Sequence, residues 1–246
     1  MRSRARDPRE GRAVRPSVDA GAVAAEAVTY RWAQRGEVDA IADLLLHASG
    51  NVLRFLLAEL APDVSPRALL VHLALENGER RSFRHCLVAL LGGNVVGVAN
   101  VFPAELFRSA AQDRGLSPRE EHLRPVTEMQ DWDSFVLSGL AVDPRHRGRG
   151  IGSGLIEQVS RHARANGYDR LTLHVWADNE PAQRLYRRTG FTVAARADVA
   201  DHPELSHRGG SVLMRRMLDS PDPRAAAVPL RASPRRSRGQ EGSVGT

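Results

Sequence analysis

Glycines and arginines alternate in a ten-residue run between a strand-like and a helix-like segment: Arg145-His146-Arg147-Gly148-Arg149-Gly150-Ile151-Gly152-Ser153-Gly154. A helix N-terminus offers unpaired backbone N–H groups and the positive end of the helix dipole. Glycines let an anion approach those amides closely, and the arginines add positive charge and forked donors. The run therefore predicts a phosphate-binding loop.

Two common nucleotide-binding loops do not fit this run. A nucleotide-hydrolase loop needs Gly-Lys followed by Ser or Thr, but all 35 basic residues of the chain are arginine. The dinucleotide pattern G-x-G-x-x-G would need glycine at Ser153 or at Leu155, and no early βαβ unit supports it. A plain connecting turn is the remaining alternative, and it is disfavoured because each glycine weakens the helix that it opens.

Strand and helix patterns alternate between residues 28 and 218, with tails outside them. Apolar and alternating runs predict strands at 28–32, 85–91, 95–101, 134–142, 171–176, 191–195 and 211–217. Helical spacing predicts helices at 37–47, 51–60, 67–75 and 151–166, and another that Asp178 or Asn179 caps and that runs to about residue 189. The polar stretch 103–132 is predicted to be a long irregular insertion. The pattern predicts one α/β domain with mixed strand pairing.

Two motifs in this domain resemble those of the GNAT superfamily of acetyltransferases. The first is Leu140-Ala141-Val142-Asp143-Pro144 followed by Arg147-x-x-Gly150-x-Gly152, which is similar to that family's acetyl-CoA signature. The second is Asn179-x-x-Ala182-x-x-Leu185-Tyr186-x-x-x-Gly190-Phe191, which is similar to its second hallmark. The close match covers residues 134–195. The resemblance implies a mixed, mostly antiparallel central sheet flanked by helices, with splayed central strands.

The resemblance also implies acetyl-CoA as co-substrate, with no metal. Loop residues would hold the coenzyme A pyrophosphate: Arg147, Gly148, Arg149, Gly150, Ile151, Gly152 and Ser153. The preceding strand would pair with the pantetheine arm through Leu140, Ala141 and Val142. A backbone N–H near Leu140 would polarise the thioester carbonyl. Asn179 would contact coenzyme A, a role compatible with capping a helix.

The same resemblance suggests catalytic residues. Tyr186 matches the family's usual general acid, and a phenol with an ordinary pKa near 10 can protonate the leaving thiolate; the alternative is a core tyrosine. His174 stands where some members carry a glutamate base and is the predicted base; the alternative is a strand histidine with a structural hydrogen bond. Glu128, Asp131 and Asp133, or water, are rival bases.

The predicted function is transfer of acetyl from acetyl-CoA to a primary amine, in a small molecule or at a protein N-terminus, by direct attack. The alternative is a non-catalytic acyl-CoA-binding sensor. The acceptor side of the site is expected to fall on residues 45–75 and 103–133, which match no specific pattern. A homodimer is compatible with the resemblance.

Composition restricts other classes of function. Residues 1–27 hold six arginines and four acids, and residues 219–246 hold five and three, so these tails carry +4 of the net charge of +6. We expect both tails to be disordered, and nucleic-acid binding is not expected. No apolar run is long enough to span a membrane, and a secretory signal is not expected because no apolar segment follows the N-terminal arginines. The single cysteine, Cys86, fits a reducing compartment, so a cytoplasmic location is expected.

Overall fold

Seven strands form one open sheet in the computed structural model, which describes residues 27–76, 80–107 and 115–218. The strands are β1 (Thr29–Trp32), β2 (Cys86–Leu91), β3 (Asn94–Pro103), β4 (Phe135–Val142), β5 (Arg170–Trp176), β6 (Thr192–Ala197) and β7 (Ser211–Met217). They lie in the order β1-β2-β3-β4-β5-β7-β6, and of these neighbouring pairs β4 with β5 alone is parallel. This arrangement confirms the predicted fold class.

Helices cover both faces of the sheet. They are α1 (Val38–Ala48), α2 (Val52–Leu60), α3 (Pro66–Leu75), α4 (Pro118–His122), α5 (Arg124–Glu128), α6 (Ile151–Ala165) and α7 (Glu180–Arg188). The predicted apolar face of α6, including Leu155 and Val159, is buried against Leu171 and Leu173 of β5. On the other face, α1 and α3 pack in a second core with Val98 and other residues of β2 to β4.

The predicted elements are found with small shifts at their ends, which reach two residues in β3 and in β6. The predicted strand at 95–101 continues to Pro103, because Phe102 pairs with Val136 and Pro103 pairs with Phe135. Proline is tolerated there because it stands at the end of the strand.

The stretch 103–132 contains two short helices rather than only irregular chain, as far as it is described. Ser117 and Glu120 form a capping box at the start of α4: the Ser117 hydroxyl accepts from the Glu120 N–H at 3.3 Å, and the Glu120 carboxylate accepts from the Ser117 N–H at 3.0 Å. Residues 108–114 and the predicted disordered tails, apart from residue 27, lie outside the described residues.

Strands β4 and β5 pair over only two residues at their N-terminal ends. Phe135 lies opposite Leu171 and Val136 opposite Thr172, and the ladder stops there. On the other edge of β4, Gly139 pairs with Asn100 and Leu137 pairs with Val101, so Ser138 is an inserted residue, a β-bulge. The two central strands therefore splay apart, as the family resemblance implied, and leave backbone groups of β4 open to a gap.

Within the described ranges, no single helix is both long and apolar enough to cross a membrane. The segments Arg35–Ala48 and Val52–Leu60 pass such a test only as a pair, and they are bent by 115° relative to each other.

Candidate active site

The predicted phosphate loop lies exposed between the end of β4 and the start of α6. Gly148 and Gly150 have positive φ values, 77° and 78°, in the region that non-glycine residues rarely adopt. A Cβ atom at either position would meet no atom within 4 Å. Gly154 donates to the Gly150 carbonyl at 2.9 Å, so the amides of residues 151–153 have no acceptor within the helix. These amides can bind an anion.

The arginines of this loop have different partners. Arg145 is held by Asp143 through an ion pair of 2.6 Å, and that guanidinium holds the pKa of the Asp143 carboxyl well below its usual range. Arg147 is exposed, and its Nε donates to the Val142 carbonyl at 3.3 Å. Arg149 is exposed as well. Arg147 and Arg149 can therefore reach an anion, whereas the Arg145 guanidinium is paired with Asp143 within the turn.

The end of β4 connects the loop to the gap between the strands. Leu140 and Val142 are partly buried and pack against the main core, whereas Ala141 faces the opposite core. A Cβ atom at Gly152 would lie 3.4 Å from Leu185 and 3.8 Å from Val142. Because Gly152 has no side chain, Leu185 of α7 and Val142 at the end of β4 can both lie close to the start of α6.

A cleft of about 700 Å³ fills the gap between β4 and β5. Ser138 and Leu140 border it from β4, His174 and Trp176 from β5, and Tyr186 from α7. The structure therefore brings the two predicted catalytic residues to one cleft. Ser138, the exposed bulge residue, was not singled out from the sequence, since a bulge leaves no pattern in a single strand.

Tyr186 lies on the buried side of α7 and is 9% exposed. Its ring packs edge-on against Phe191 at 5.8 Å between centroids. Burial raises the pKa of Tyr186 to about 12, so the phenol keeps its proton at neutral pH. Asn179 caps α7, since its side-chain oxygen accepts from the Ala182 N–H at 3.3 Å. Asn179 also borders the cleft, as a contact with coenzyme A would require.

His174 points away from the main core, to the face on which α5 lies. Its Nε2 is 2.9 Å from Nε2 of Gln130. The Gln130 amide also donates to the Val126 carbonyl at 3.2 Å, which fixes the nitrogen of this amide towards His174. The imidazole therefore accepts at Nε2 and carries its proton on Nδ1, a buried atom without a hydrogen-bond partner in the described chain. Burial lowers the pKa of His174 to about 4.

The three rival bases are placed differently. The Asp131 side chain is 8% exposed and lies 2.9 Å from the Arg215 guanidinium and 3.4 Å from that of Arg170. Asp133 is exposed and is 3.7 Å from the same Arg170. Glu128 borders the cleft, with Arg124 at 3.6 Å. Of the three, Glu128 is thus placed to meet a ligand in the cleft.

Residues of both predicted acceptor segments border the cleft, and they are mostly apolar. They include Leu45, Val52, Leu56, Leu123, Val126 and Trp132. The loop 198–210 between β6 and β7 also contributes His207, to which no role was assigned from the sequence. Its Nδ1 lies 2.8 Å from the Asp178 carboxylate, and its ring stacks on Trp176 at 6.0 Å. Residue 207 is distant in sequence from both motifs, and no spacing rule points to it.

Metal ligands are not gathered anywhere in this part of the molecule: residues 27–76, 80–107 and 115–218 contain no group of three or more His, Cys, Asp or Glu side chains that could hold a metal ion.

The open amides of the glycine loop and the gap between the splayed strands are the two features that the family resemblance implied. Comparison with protein-family models matches residues 53–191, more than half of the chain, to the acetyltransferase (GNAT) family. The chain therefore belongs to the GNAT acetyltransferase family, which is a family of acyltransferases. This finding confirms the resemblance noted from the two sequence motifs.

Individual relatives support the family over different lengths. Mycothiol acetyltransferase from Corynebacterium glutamicum (strain R) is 47% identical over 49 residues, which is 20% of this chain and 17% of that protein. The chain thus aligns with under a fifth of that relative's length. A crystal structure described as an acetyltransferase is 25% identical, with a TM-score of 0.56 over 78% of this chain and all of that one.

A further solved structure, yncA from Salmonella typhimurium with its cofactor acetyl-CoA, shares the fold. It is 22% identical, with a TM-score of 0.50 over 80% of this chain and 98% of that chain.

Proposed function

We propose that the protein is an N-acetyltransferase that moves an acetyl group from acetyl-CoA to a primary amine, in a small molecule or at a protein N-terminus. The observation that carries this proposal is that three features lie at or next to one cleft. Unpaired backbone of β4 lies along its wall and the Tyr186 phenol borders it. The open amides of residues 151–153 lie next to it, since a Cβ atom at Gly152 would be 4.0 Å from Leu140, which lines the cleft.

The cofactor half of the site is proposed to work through the backbone. The loop from Arg147 to Ser153 would bind the pyrophosphate, and residues 140–142 would pair with the pantetheine arm. The splay supports this role, because β4 beyond Val136 has no partner in β5. A backbone N–H near Leu140 would donate to the thioester carbonyl, where negative charge develops as the amine attacks. One such donor contributes about 3 kcal/mol in other enzymes.

Tyr186 is proposed to protonate the thiolate that leaves. Its burial supports this role in one respect: a pKa raised to about 12 keeps the phenol protonated at neutral pH, so that it has a proton to donate. His174 stays a predicted base. To take a proton at Nε2 it must first lose the hydrogen bond from Gln130.

The test is release of free coenzyme A thiol when acetyl-CoA meets a panel of primary amines that includes 2-phenylethylamine. Tyr186→Phe should lower kcat by about 100-fold or more and leave the Kd of coenzyme A unchanged. Tyr168→Phe is the matched control, since Tyr168 packs on Phe135 at 5.1 Å away from the cleft lining, and it should transfer acetyl at the wild-type rate.

Acetyl-CoA binding without turnover of any amine, and without an effect of Tyr186→Phe, would contradict the enzyme and support the acyl-CoA sensor. Cytoplasmic location and a homodimer stay predictions.

A further inference from the structure

We propose that His207, oriented by Asp178, is the general base that takes the proton of the acceptor ammonium. This inference rests on the proposed acetyltransferase function and adds a catalytic residue to it. It starts from the observation that two histidines border the same cleft, His174 and His207, and that their hydrogen bonds leave different nitrogens free.

His207 is held with its Nε2 lone pair unused. Its Nδ1 lies 2.8 Å from Oδ1 of Asp178, so the Nδ1 proton is donated to the carboxylate, and Nε2 of the neutral ring is left as the acceptor. Among the described residues, no hydrogen-bond partner reaches Nε2. The side chain is 23% exposed. This is the protonation pattern that a general base needs.

Asp178 is itself fixed in position. Its second carboxylate oxygen accepts from the backbone N–H of Arg208 at 2.9 Å. Asp178, in the turn after β5, is thus hydrogen-bonded to the β6–β7 loop. An Asp oriented in this way stabilises the imidazolium that forms when His207 takes a proton. Asp178 is thus a positioning residue, and His207 is the group that would meet the amine.

The histidine ring packs with one face against Trp176, and its Cδ2–Nε2 edge lies near Gly50. It stacks on Trp176 with ring planes 19° apart and 6.0 Å between centroids. Gly50, in the turn between α1 and α2, approaches so closely that a Cβ atom there would lie 2.7 Å from Nε2. Ser206 donates to the Gly50 carbonyl at 3.4 Å. These contacts place His207 where the β6–β7 loop meets the turn between α1 and α2, which belongs to the predicted acceptor segment 45–75.

His174 lacks this arrangement. Its Nε2 already accepts from Gln130, its protonated Nδ1 is buried, and within residues 27–76, 80–107 and 115–218 no carboxylate pairs with it. Protonation of His174 would place an uncompensated charge inside the protein. His174 with Gln130 therefore forms a neutral wall of the cleft, whereas His207 has a carboxylate at Nδ1 and leaves Nε2 to accept.

The proton balance of the proposed reaction is as follows. The acceptor ammonium gives one proton to Nε2 of His207, and the free amine attacks the thioester carbon to form the C–N bond. As the C–S bond breaks, Tyr186 protonates the sulfur. The nitrogen loses its second proton, which restores the Tyr186 hydroxyl through water in the cleft. His207 then releases its proton to solvent, and one proton is released for each acetyl group transferred.

The test compares two acceptors with acetyl-CoA: 2-phenylethylamine, protonated at neutral pH, and 2,2-difluoro-2-phenylethylamine, whose amine is largely unprotonated there. His207→Gln should lower kcat/KM for 2-phenylethylamine by about 100-fold and change it little for the difluoro amine, which needs no base. Asp178→Asn should give a smaller loss with the same preference. The Kd of acetyl-CoA should not change.

The pH profile is the second readout. With His207→Gln, kcat/KM for 2-phenylethylamine should rise tenfold per pH unit until the free amine dominates. Asp178 contacts His207 directly, and the next residue, Arg208, has its guanidinium 3.9 Å from Asp201. The charged residues that border the same cleft are Arg80, Arg81, Glu120, Arg124 and Glu128. His174 and Tyr186 titrate in the same cleft and are unchanged in the variant.

His202→Gln is the matched control in the same loop. His202 packs on Phe55 at 4.6 Å and does not border the cleft, so this variant should keep wild-type selectivity between the amines. Equal losses on both amines with His207→Gln, or no loss, would contradict the base role while leaving the acetyltransferase intact. A wild-type protein that binds acetyl-CoA but transfers acetyl to no amine of the panel would contradict both proposals.

Discussion

Replacing Gly150 by glutamate should weaken coenzyme A binding by about 30- to 1000-fold. The substitution places a carboxylate beside the loop amides, and a charge about 6 Å from each of two phosphate charges costs about 1 to 2 kcal/mol per pair at an intermediate dielectric. The sum of about 2 to 4 kcal/mol converts to that range of Kd. Isothermal titration with coenzyme A measures it, and the loss should shrink at high salt because salt screens exposed charges.

Gly167 provides a matched control for the backbone strain at Gly150. Both glycines have positive φ, 86° and 78°, and a Cβ atom at either would meet open space. Gly167→Glu and Gly150→Glu should both lose about 1 to 2 kcal/mol of stability, visible as a lower melting temperature. Binding of coenzyme A should suffer at Gly150 alone. Unchanged affinity in Gly150→Glu, or equal losses in both variants, would refute the loop assignment.

Two further predictions concern stability. Burial lowers the pKa of His162 from 6.5 to about 4. As the pH falls from 6.5 to 4 the unfolded chain binds this proton before the folded protein does, so the protein loses stability over this range. His162→Leu should therefore make the melting temperature less dependent on pH between 6.5 and 4, and an unchanged dependence on pH would contradict the prediction. A Cβ atom at Gly154 would collide with the Tyr30 hydroxyl, so Gly154→Ala should lower the melting temperature. The double variant Gly154→Ala with Tyr30→Ala should lose less stability than the two single variants lose together. Strictly additive losses of stability would contradict the contact.

The backbone geometry of the proposed cofactor half could be predicted because its determinants are local in sequence. The glycines at 148, 150 and 152 and the cap at Asn179 act on the backbone within a few residues of themselves. The apolar period of residues 151–163 likewise predicted the buried face of α6. The family resemblance then implied the mixed, mostly antiparallel sheet and its splayed central strands.

The acceptor half could not be predicted, since its contacts join residues far apart in sequence. Gln130 meets His174 across 44 positions, and His207 meets Asp178 across 29. Neither pair follows a helical or strand period, so no spacing indicates it. The bulge at Ser138 depends on the register with β3, which one strand alone does not specify. His174 illustrates the limit: its type suggested a base, but its partner decides which nitrogen is free.

The chemistry of thioester aminolysis requires one group that keeps its proton at neutral pH and another that can accept one. Burial of Tyr186 on α7 favours the first, because the neutral phenol is the form that an apolar environment stabilises. In the proposed reaction the second group is His207, whose Nδ1 lies 2.8 Å from the Asp178 carboxylate and whose Nε2 is left to accept. The proposed proton donor and acceptor come from different elements, α7 and the β6–β7 loop, and the splay of β4 from β5 opens the gap that the proposed thioester would occupy. If the proposal is correct, a substitution that closed this gap would stop transfer even with both groups in place.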